Sequence, residues 1–270
     1  MTSSAAPAKT RPPAVAGLFY PGDKARLRTE VEQLLEHAQT RSLPVPKAIV
    51  APHAGYIYSG PIAASAYALL VPARDRVKRV VLLGPTHRVA VRGLAVPSVT
   101  HFATPLGTIE LDVECLRELS ACAAVAVSDE AHALEHSLEV HLPFLQQVLD
   151  EFTLVPIAVG DASVEEVADV IDRLWGGPET LIVVSSDLSH YLPYRQARAV
   201  DSATCEAILD LRTDIDHEQA CGATPVTGLA LAAQRRRLPR PELLDLRNSG
   251  DTAGDKDRVV GYGAFAFYES

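Results

Sequence analysis

Three separate apolar runs in this chain end in a polar turn that carries a histidine, and that arrangement constrains the fold more than any other feature. Lys47-Ala-Ile-Val-Ala-Pro-His53 and Arg79-Val-Val-Leu-Leu-Gly-Pro-Thr-His87 each pass from a buried-strand pattern into a Pro-containing turn. Leu181-Ile-Val-Val184 does the same, running into Ser185-Ser-Asp187-Leu-Ser-His190. Short continuous apolar runs of this kind read as strands covered on both faces. In open α/β sheets, ligands bind beyond the carboxyl ends of the strands. His53, His87, Asp187 and His190 are therefore expected along one edge of one sheet.

Helical patterns separate these runs. Asp23 caps a helix from Lys24 to about Ala38, with Leu27, Val31, Leu34 and Leu35 on one face. Ser59-Gly60-Pro61 reads as the start of a second helix, and Asp112 opens a third that carries Cys115 and Cys122 on its core side. Ser137 to Leu149 has helical spacing, and Pro143 must kink it or begin a new helix within it. Ser163-Val-Glu-Glu166 is a capping box, and further helices run from about Arg195 to Leu211 and from Thr224-Pro225 onward. Short strands around Pro97 and the Pro105-Leu-Gly107 turn, one at Leu154–Val159, and two near Leu243–Arg247 and Arg258–Tyr268 complete the pattern. The alternation predicts an α/β fold: a single domain over residues 11–270, its mostly parallel central sheet flanked by helices. Residues 1–10 are expected to be a flexible N-terminus, and the whole stretch from Met1 to Pro12, small, polar and without an apolar h-region, reads as a loose end.

Charge and cysteine usage narrow the function. With 34 acidic against 25 basic residues, the formal net charge of −9 argues against a nucleic-acid surface, which needs clustered Lys and Arg. The basic triplet Arg235-Arg-Arg237 ends a helical pattern, where cations suit the helix dipole. No apolar stretch approaches the roughly 20 residues of a membrane span. Four cysteines without CxxC spacing read as thiols of a reduced, cytoplasmic protein rather than as a disulfide scaffold.

His53 and His87 sit on stiff backbone and suit metal ligation, and a thiolate from Cys221 would complete a three-ligand site with open positions. Cys221-Gly222 lies just before a helix start, where the dipole is expected to lower the thiol pKa. The plain alternative for such a cysteine is a small core residue. Asp187 and His190 form a DxxH pair able to handle protons, unless Asp187 merely caps the following turn and His190 packs on Tyr191. The cluster Asp129-Glu-Ala-His132-Ala-Leu-Glu135-His136-Ser-Leu-Glu139 is rich in titratable groups. His136 joins Asp187 and His190 in the candidate catalytic set, although Asp and Glu near a helix N-terminus are ordinarily capping charges and His132, Glu135 and Glu139 could all be solvated. Walker A, Gly-x-Ser-x-Gly and GxGxxG patterns are absent, which removes the P-loop, α/β-hydrolase and dinucleotide-binding readings.

Several of these motifs occur together, in order, in a known family. The sequence resembles the Memo family, whose prokaryotic members are called AmmeMemoRadiSam system protein B. The likeness runs through Arg11-Pro-Pro-Ala-Val-Ala-Gly-Leu-Phe-Tyr-Pro21, Ala51-Pro-His-Ala-Gly-Tyr-Ile-Tyr-Ser-Gly60, Gly84-Pro-Thr-His87 and Thr104-Pro-Leu-Gly107. It continues in Glu135-His-Ser-Leu-Glu139, Ser185-Ser-Asp-Leu-Ser-His190, Ala220-Cys-Gly222 and Val259-Val-Gly-Tyr262. The resemblance implies a fold like that of the class III extradiol dioxygenases, with a pocket at His53, His87, Asp187, His190 and Cys221. It also implies iron or copper binding and oxidase-like activity, with Cys221 standing where the dioxygenases have a carboxylate. The two imidazoles and thiolate suit Fe(II) or copper, and zinc as well. A pathway shared with radical-SAM and AMMECR-type proteins is a further implication. The leading expectation is a metal-dependent redox protein acting on a small molecule or peptide. The competing one is a non-catalytic module that keeps the enzyme fold and binds a peptide or protein.

Overall fold

The computed structural model describes residues 9–38 and 43–269. Its strands, in chain order, are β1 (Thr10–Arg11), β2 (Ala48–Ala51), β3 (Arg79–Pro85), β4 (Leu94–Val96), β5 (His101–Thr104) and β6 (Gly107–Glu110). They continue with β7 (Val125–Val127), β8 (Thr153–Val159), β9 (Thr180–Ser185), β10 (His190–Leu192), β11 (Glu242–Asn248) and β12 (Val259–Phe267). The continuous apolar runs β2, β3, β8 and β9 are buried along nearly their whole length. They form the middle of the main sheet, in the order β10-β12-β2-β9-β3-β8-β4-β7 with β11 added on β12.

These four central strands are parallel to one another, but β12 runs antiparallel to β2, β10 and β11, and β4 antiparallel to β8. The sheet is therefore mixed rather than mostly parallel. Connection length explains this: the segment 249–258 between β11 and β12 is shorter than the dozen or more residues that a parallel crossover takes. A second, three-stranded sheet of β1, β5 and β6 holds the hairpin turn at Pro105–Gly107.

Helices cover both faces. Helix Ala223–Arg236 packs on β3 and β9 and against helix Val164–Leu174, with Gly228 at the crossing. A Cβ there would come within 2.3 Å of Val167 Cγ1, so the two helices meet only because the position is glycine. On the other face, helix Tyr56–Tyr67 lies on β2 and β12 and touches helices Lys24–Glu36 and Leu142–Val148. The local signals for ends hold where they are short-range. Asp23 caps Arg26, Ser163 and Glu166 form the capping box, and Pro143 begins a new helix after a single 3₁₀ turn at Glu139–His141.

Three expectations change. Helix Tyr56–Tyr67 begins at Tyr56, not at Ser59, and keeps Pro61 inside. Pro61 lacks the amide that would bond the Ile57 carbonyl, and Ile57 lies on the exposed side, where water can take that carbonyl. Cys122 lies beyond the end of helix Val113–Leu119 and is only half-buried, whereas Cys115 is in the core. Finally, the loose N-terminus does not extend to Pro12. Residues 1–8 lie outside the described residues, but the Lys9 amide donates to Thr100 Oγ1 at 3.1 Å and β1 pairs with β5. Arg11 is buried.

That burial is tied to a polar knot. Arg11 donates to Glu139 Oε2 at 2.7 Å and to the carbonyls of His132 and Glu135 at 2.6 and 2.8 Å. Glu139 also accepts from the amides of Ala14 and Val15 and from the Tyr20 hydroxyl, at 2.7, 2.9 and 2.6 Å. The N-terminal segment thus grips the loop 132–139, which reaches the carboxyl edge of the main sheet. No helix among the described residues is long and apolar enough to cross a membrane.

Candidate metal centre

The parallel registers bring the carboxyl ends together, with Ala51 opposite Ser185 and Leu83 opposite Val184. His53, Asp187 and His87 follow those ends directly, so three segments far apart in sequence meet at one place. The His53 amide donates to Asp187 Oδ1 at 2.7 Å, which locks the turn after β2 onto the turn after β9. The Cys221 loop joins them through Gly222, where a Cβ would come within 2.5 Å of the Ser185 carbonyl. Only glycine lets that loop lie so close, and Cys221 Sγ ends 3.2 Å from His53 Nε2.

His136 completes the cluster. Glu135 is buried and accepts from the His87 amide at 2.5 Å, from His87 Nδ1 at 2.9 Å, and from the amides of His136 and Ser137 at 2.9 Å each. Burial alone would raise its pKa, but these hydrogen bonds hold the carboxyl down at about 2. The carboxylate thereby stitches His87 to His136, whose rings stack 4.7 Å apart. Phe19 packs on the His136 ring at 4.8 Å. Ring nitrogens of His53, His87 and His136 all lie within 4.8 Å of one another.

Burial sets the charge states. It pushes His53 well below the usual histidine range, with help from the neighbouring imidazoles, and brings His136 down to about 4. His190, also lowered by burial, faces the same cleft. All three rings are neutral near pH 7 and keep a lone pair. Asp187 moves the other way, up to about 7, because burial outweighs the amides of His53 and Ala54 that it accepts from. The thiol of Cys221 is raised by burial and by Asp187, contrary to the lowering expected from the helix that follows. Its desolvation is the larger effect.

The donor set fits a transition-metal ion. Imidazoles that bind metal usually turn their second nitrogen to a carboxylate, carbonyl or hydroxyl. His87 does so with Glu135, and His53 Nδ1 lies 2.6 Å from Ser185 Oγ. His136 Nδ1 is buried without a hydrogen-bond partner, since Glu135 Oε1 is 3.4 Å away and off the hydrogen-bond direction. Metal–nitrogen bonds of about 2.0–2.1 Å limit donor separations on one ion to about 4.2 Å, so a small ring rotation would close the cluster.

The expected residues are thus brought together, with one change of company. His136, placed by sequence among the proton-handling groups, stands with the imidazoles of His53 and His87. Asp187 caps the His53 turn rather than its own, and His190 makes an edge contact with Tyr191 at 5.7 Å while still lining the cleft. Most of the remaining cluster is withdrawn from solvent: His132, Glu135 and Glu139 are buried, while Asp129, tied to Ser98 and Lys9, and Glu130 stay at the surface. Phe19, Ser185 and Tyr262 lie at or beside the site with no role read for them from the sequence, although all three stand in stretches that carry the family likeness. The cleft above the cluster holds about 1240 Å³ and is rimmed by Tyr58, Tyr191 and Arg258.

Comparison with known proteins bears on the family and the fold. A family profile described as Memo-like protein matches residues 11–266. A MEMO1 family protein of Methanosarcina barkeri is 39% identical, over 94% of this chain and 98% of the relative. One of Aquifex aeolicus is 38% identical, over 94% of this chain and 97% of its own. Among solved structures, an uncharacterized protein of Escherichia coli K12 superposes with a TM-score of 0.52 at 15% identity, covering 80% of this chain and 98% of that one, and so shares the fold.

Proposed function

The chain belongs to the Memo-like family, and from that premise we propose that it is a cytosolic, metal-dependent redox protein with a dioxygenase-like pocket. One observation carries the reading: the imidazoles of buried His53, half-buried His136 and exposed His87 meet within 4.8 Å at a cleft. Facing ring nitrogens of three histidines toward one another at a cleft has no structural return unless a cation draws on their lone pairs. His53 and His87 would hold Fe(II) or copper, flanked by His136 and Cys221 as further donors. The bound ion would supply electron exchange with a substrate. Asp187, its pKa raised by burial to about 7, and His190 would hold or pass a proton at the carboxyl oxygen and the ring nitrogen that face the cleft. The cleft has room for a small molecule or a peptide side chain.

The test is elemental analysis of protein purified without oxygen, comparing the intact chain with His53→Ala and Cys221→Ser. Stoichiometric iron or copper in the intact chain, lost in His53→Ala, is the expected result. Loss in Cys221→Ser as well would put the thiolate among the ligands, and retention there would leave the imidazoles to hold the ion. If the intact chain neither contains nor takes up metal, the redox reading fails and the binding module replaces it.

A further inference from the structure

Behind His53 lies a buried chain of hydrogen bonds whose hydrogens can be counted. Ser185 Oγ is 2.6 Å from His53 Nδ1, 2.8 Å from His141 Nε2 and 2.6 Å from the Ser137 carbonyl oxygen. On the far side of His141, the Tyr67 hydroxyl is 2.8 Å from Nδ1. Ser185, His141 and Tyr67 are fully buried or nearly so, which leaves water no place in the count.

A hydroxyl has one hydrogen to give and two lone pairs to receive with. The Ser137 oxygen can only accept, so the Ser185 hydrogen must go to it. Turning that hydrogen elsewhere would leave two oxygens facing each other at 2.6 Å and a buried carbonyl unpaired, a loss on the order of 1–3 kcal/mol. Both imidazoles must then donate to Ser185 Oγ. A neutral ring has one N–H, so His53 carries it on Nδ1 and His141 carries it on Nε2. The His141 Nδ1 lone pair is left to accept from the Tyr67 hydroxyl, which needs an acceptor. Every hydrogen and lone pair in the chain is accounted for, and no other assignment does this.

From this count we infer that Ser185, oriented by the Ser137 carbonyl, is a positioning residue that fixes the tautomer of His53 and so aims its bare Nε2 at the cleft. The ring is set for a cation before one arrives. Ser185 touches neither substrate nor metal. It acts through His53, and the same serine sets His141, which is too deep to reach a ligand. The inference deepens the metal reading, but its first test needs no metal.

In metal-free wild-type protein labelled with ¹⁵N at histidine, long-range ¹H–¹⁵N correlation reads each tautomer directly. His53 is expected as a single Nδ1–H form and His141 as a single Nε2–H form. A His53 that is protonated on Nε2 overturns the inference, whatever any variant does. In Ser185→Ala the acceptor is gone, so the His53 signals should become an average of both tautomers, with Fe(II) affinity reduced about 10–100-fold, as for other partners of metal-bound histidine. A folded Ser185→Ala protein that keeps the pure Nδ1–H form and wild-type Fe(II) affinity also overturns it. Should wild-type protein bind no Fe(II), the metal reading ends, while the tautomer signals still decide this one.

Discussion

Two polar clusters draw on the loop 132–139 within a few residues of each other, through Glu139 and through Glu135 and His136, and they are finished in opposite ways. In the Arg11–Glu139 knot every hydrogen bond closes on a protein partner, from Tyr20 and two backbone amides on one side to two carbonyls on the other. In the histidine cluster the inner nitrogens of His53 and His87 are closed, against Ser185 and Glu135, while His136 Nδ1 has no partner and the outer nitrogens face each other and the cleft. The knot keeps a charged pair buried, whereas burial keeps His53 and His136 of the cluster neutral. Completeness of pairing separates them: a buried polar group with all its partners holds the fold, and one left open on a cavity side is available to something not in the chain.

The comparison breaks most visibly if one half of the knot is removed. Glu139→Ala leaves the Arg11 guanidinium buried without its counter-charge, and also strands the Tyr20 hydroxyl. Breaking a buried pair in this way costs about 3–5 kcal/mol. Denaturant unfolding of the metal-free protein should show that loss. A loss below about 1 kcal/mol would mean that water or a rearranged neighbour substitutes for Glu139, and that the knot is not the clasp for the N-terminal segment described here.

Acid should expose the second difference. His132, beside the knot, has its pKa pressed down by burial to about 4, against an ordinary value of 6.5, with Nε2 held 3.0 Å from the Ala95 carbonyl. Above pH 6.5 the ring is neutral in folded and unfolded chains alike, and contributes no pH dependence. As pH falls from 6.5 towards 4 the unfolded chain takes up a proton that the folded chain refuses, so stability falls, by up to about 1.4 kcal/mol per pH unit. Asp187, raised to about 7, works in the opposite sense over part of the same range, so a single pH curve mixes the two. The difference between wild type and His132→Gln isolates the histidine. The variant should lose about 3 kcal/mol less between pH 6.5 and pH 4. Parallel curves for the two proteins would show that His132 takes its proton in the folded state.

The sequence carries the parts of this picture that are local or periodic. Asp23 and the Ser163–Glu166 box are legible because a cap and its amide are three residues apart, and the central strands because burial on both faces writes a continuous apolar run. His53, His87, Asp187 and His190 follow from those strand ends. Arg11 is illegible: it stands in a polar, proline-rich stretch, and the carboxylate that justifies its burial lies 128 residues away. The grouping of His136 with His87 depends likewise on Glu135 reaching across 48 residues, and the antiparallel flanks of the sheet depend on strand directions that apolar runs do not encode. The raised Cys221 thiol is illegible for another reason. A helix start is visible in sequence, but the depth of burial that outweighs it is not.

The smallest expected effect sharpens the comparison from the other side. If the histidine cluster is built for a ligand, exchanging one of its outer groups should barely disturb the metal-free fold. Cys221 Sγ accepts from the Asp187 amide at 3.3 Å and stands 3.2 Å from His53 Nε2. In Cys221→Ser a smaller hydroxyl can still accept from the amide and donate to the ring nitrogen after a slight shift of the loop. Unfolding free energy after chelation should therefore stay within about 1 kcal/mol of wild type, against the several lost in Glu139→Ala. A loss of about 3 kcal/mol or more would place Cys221 with the knot, as packing rather than as a donor. Near-wild-type stability together with altered metal content would mark the thiol as a group held for its ligand, since the fold has no use for it.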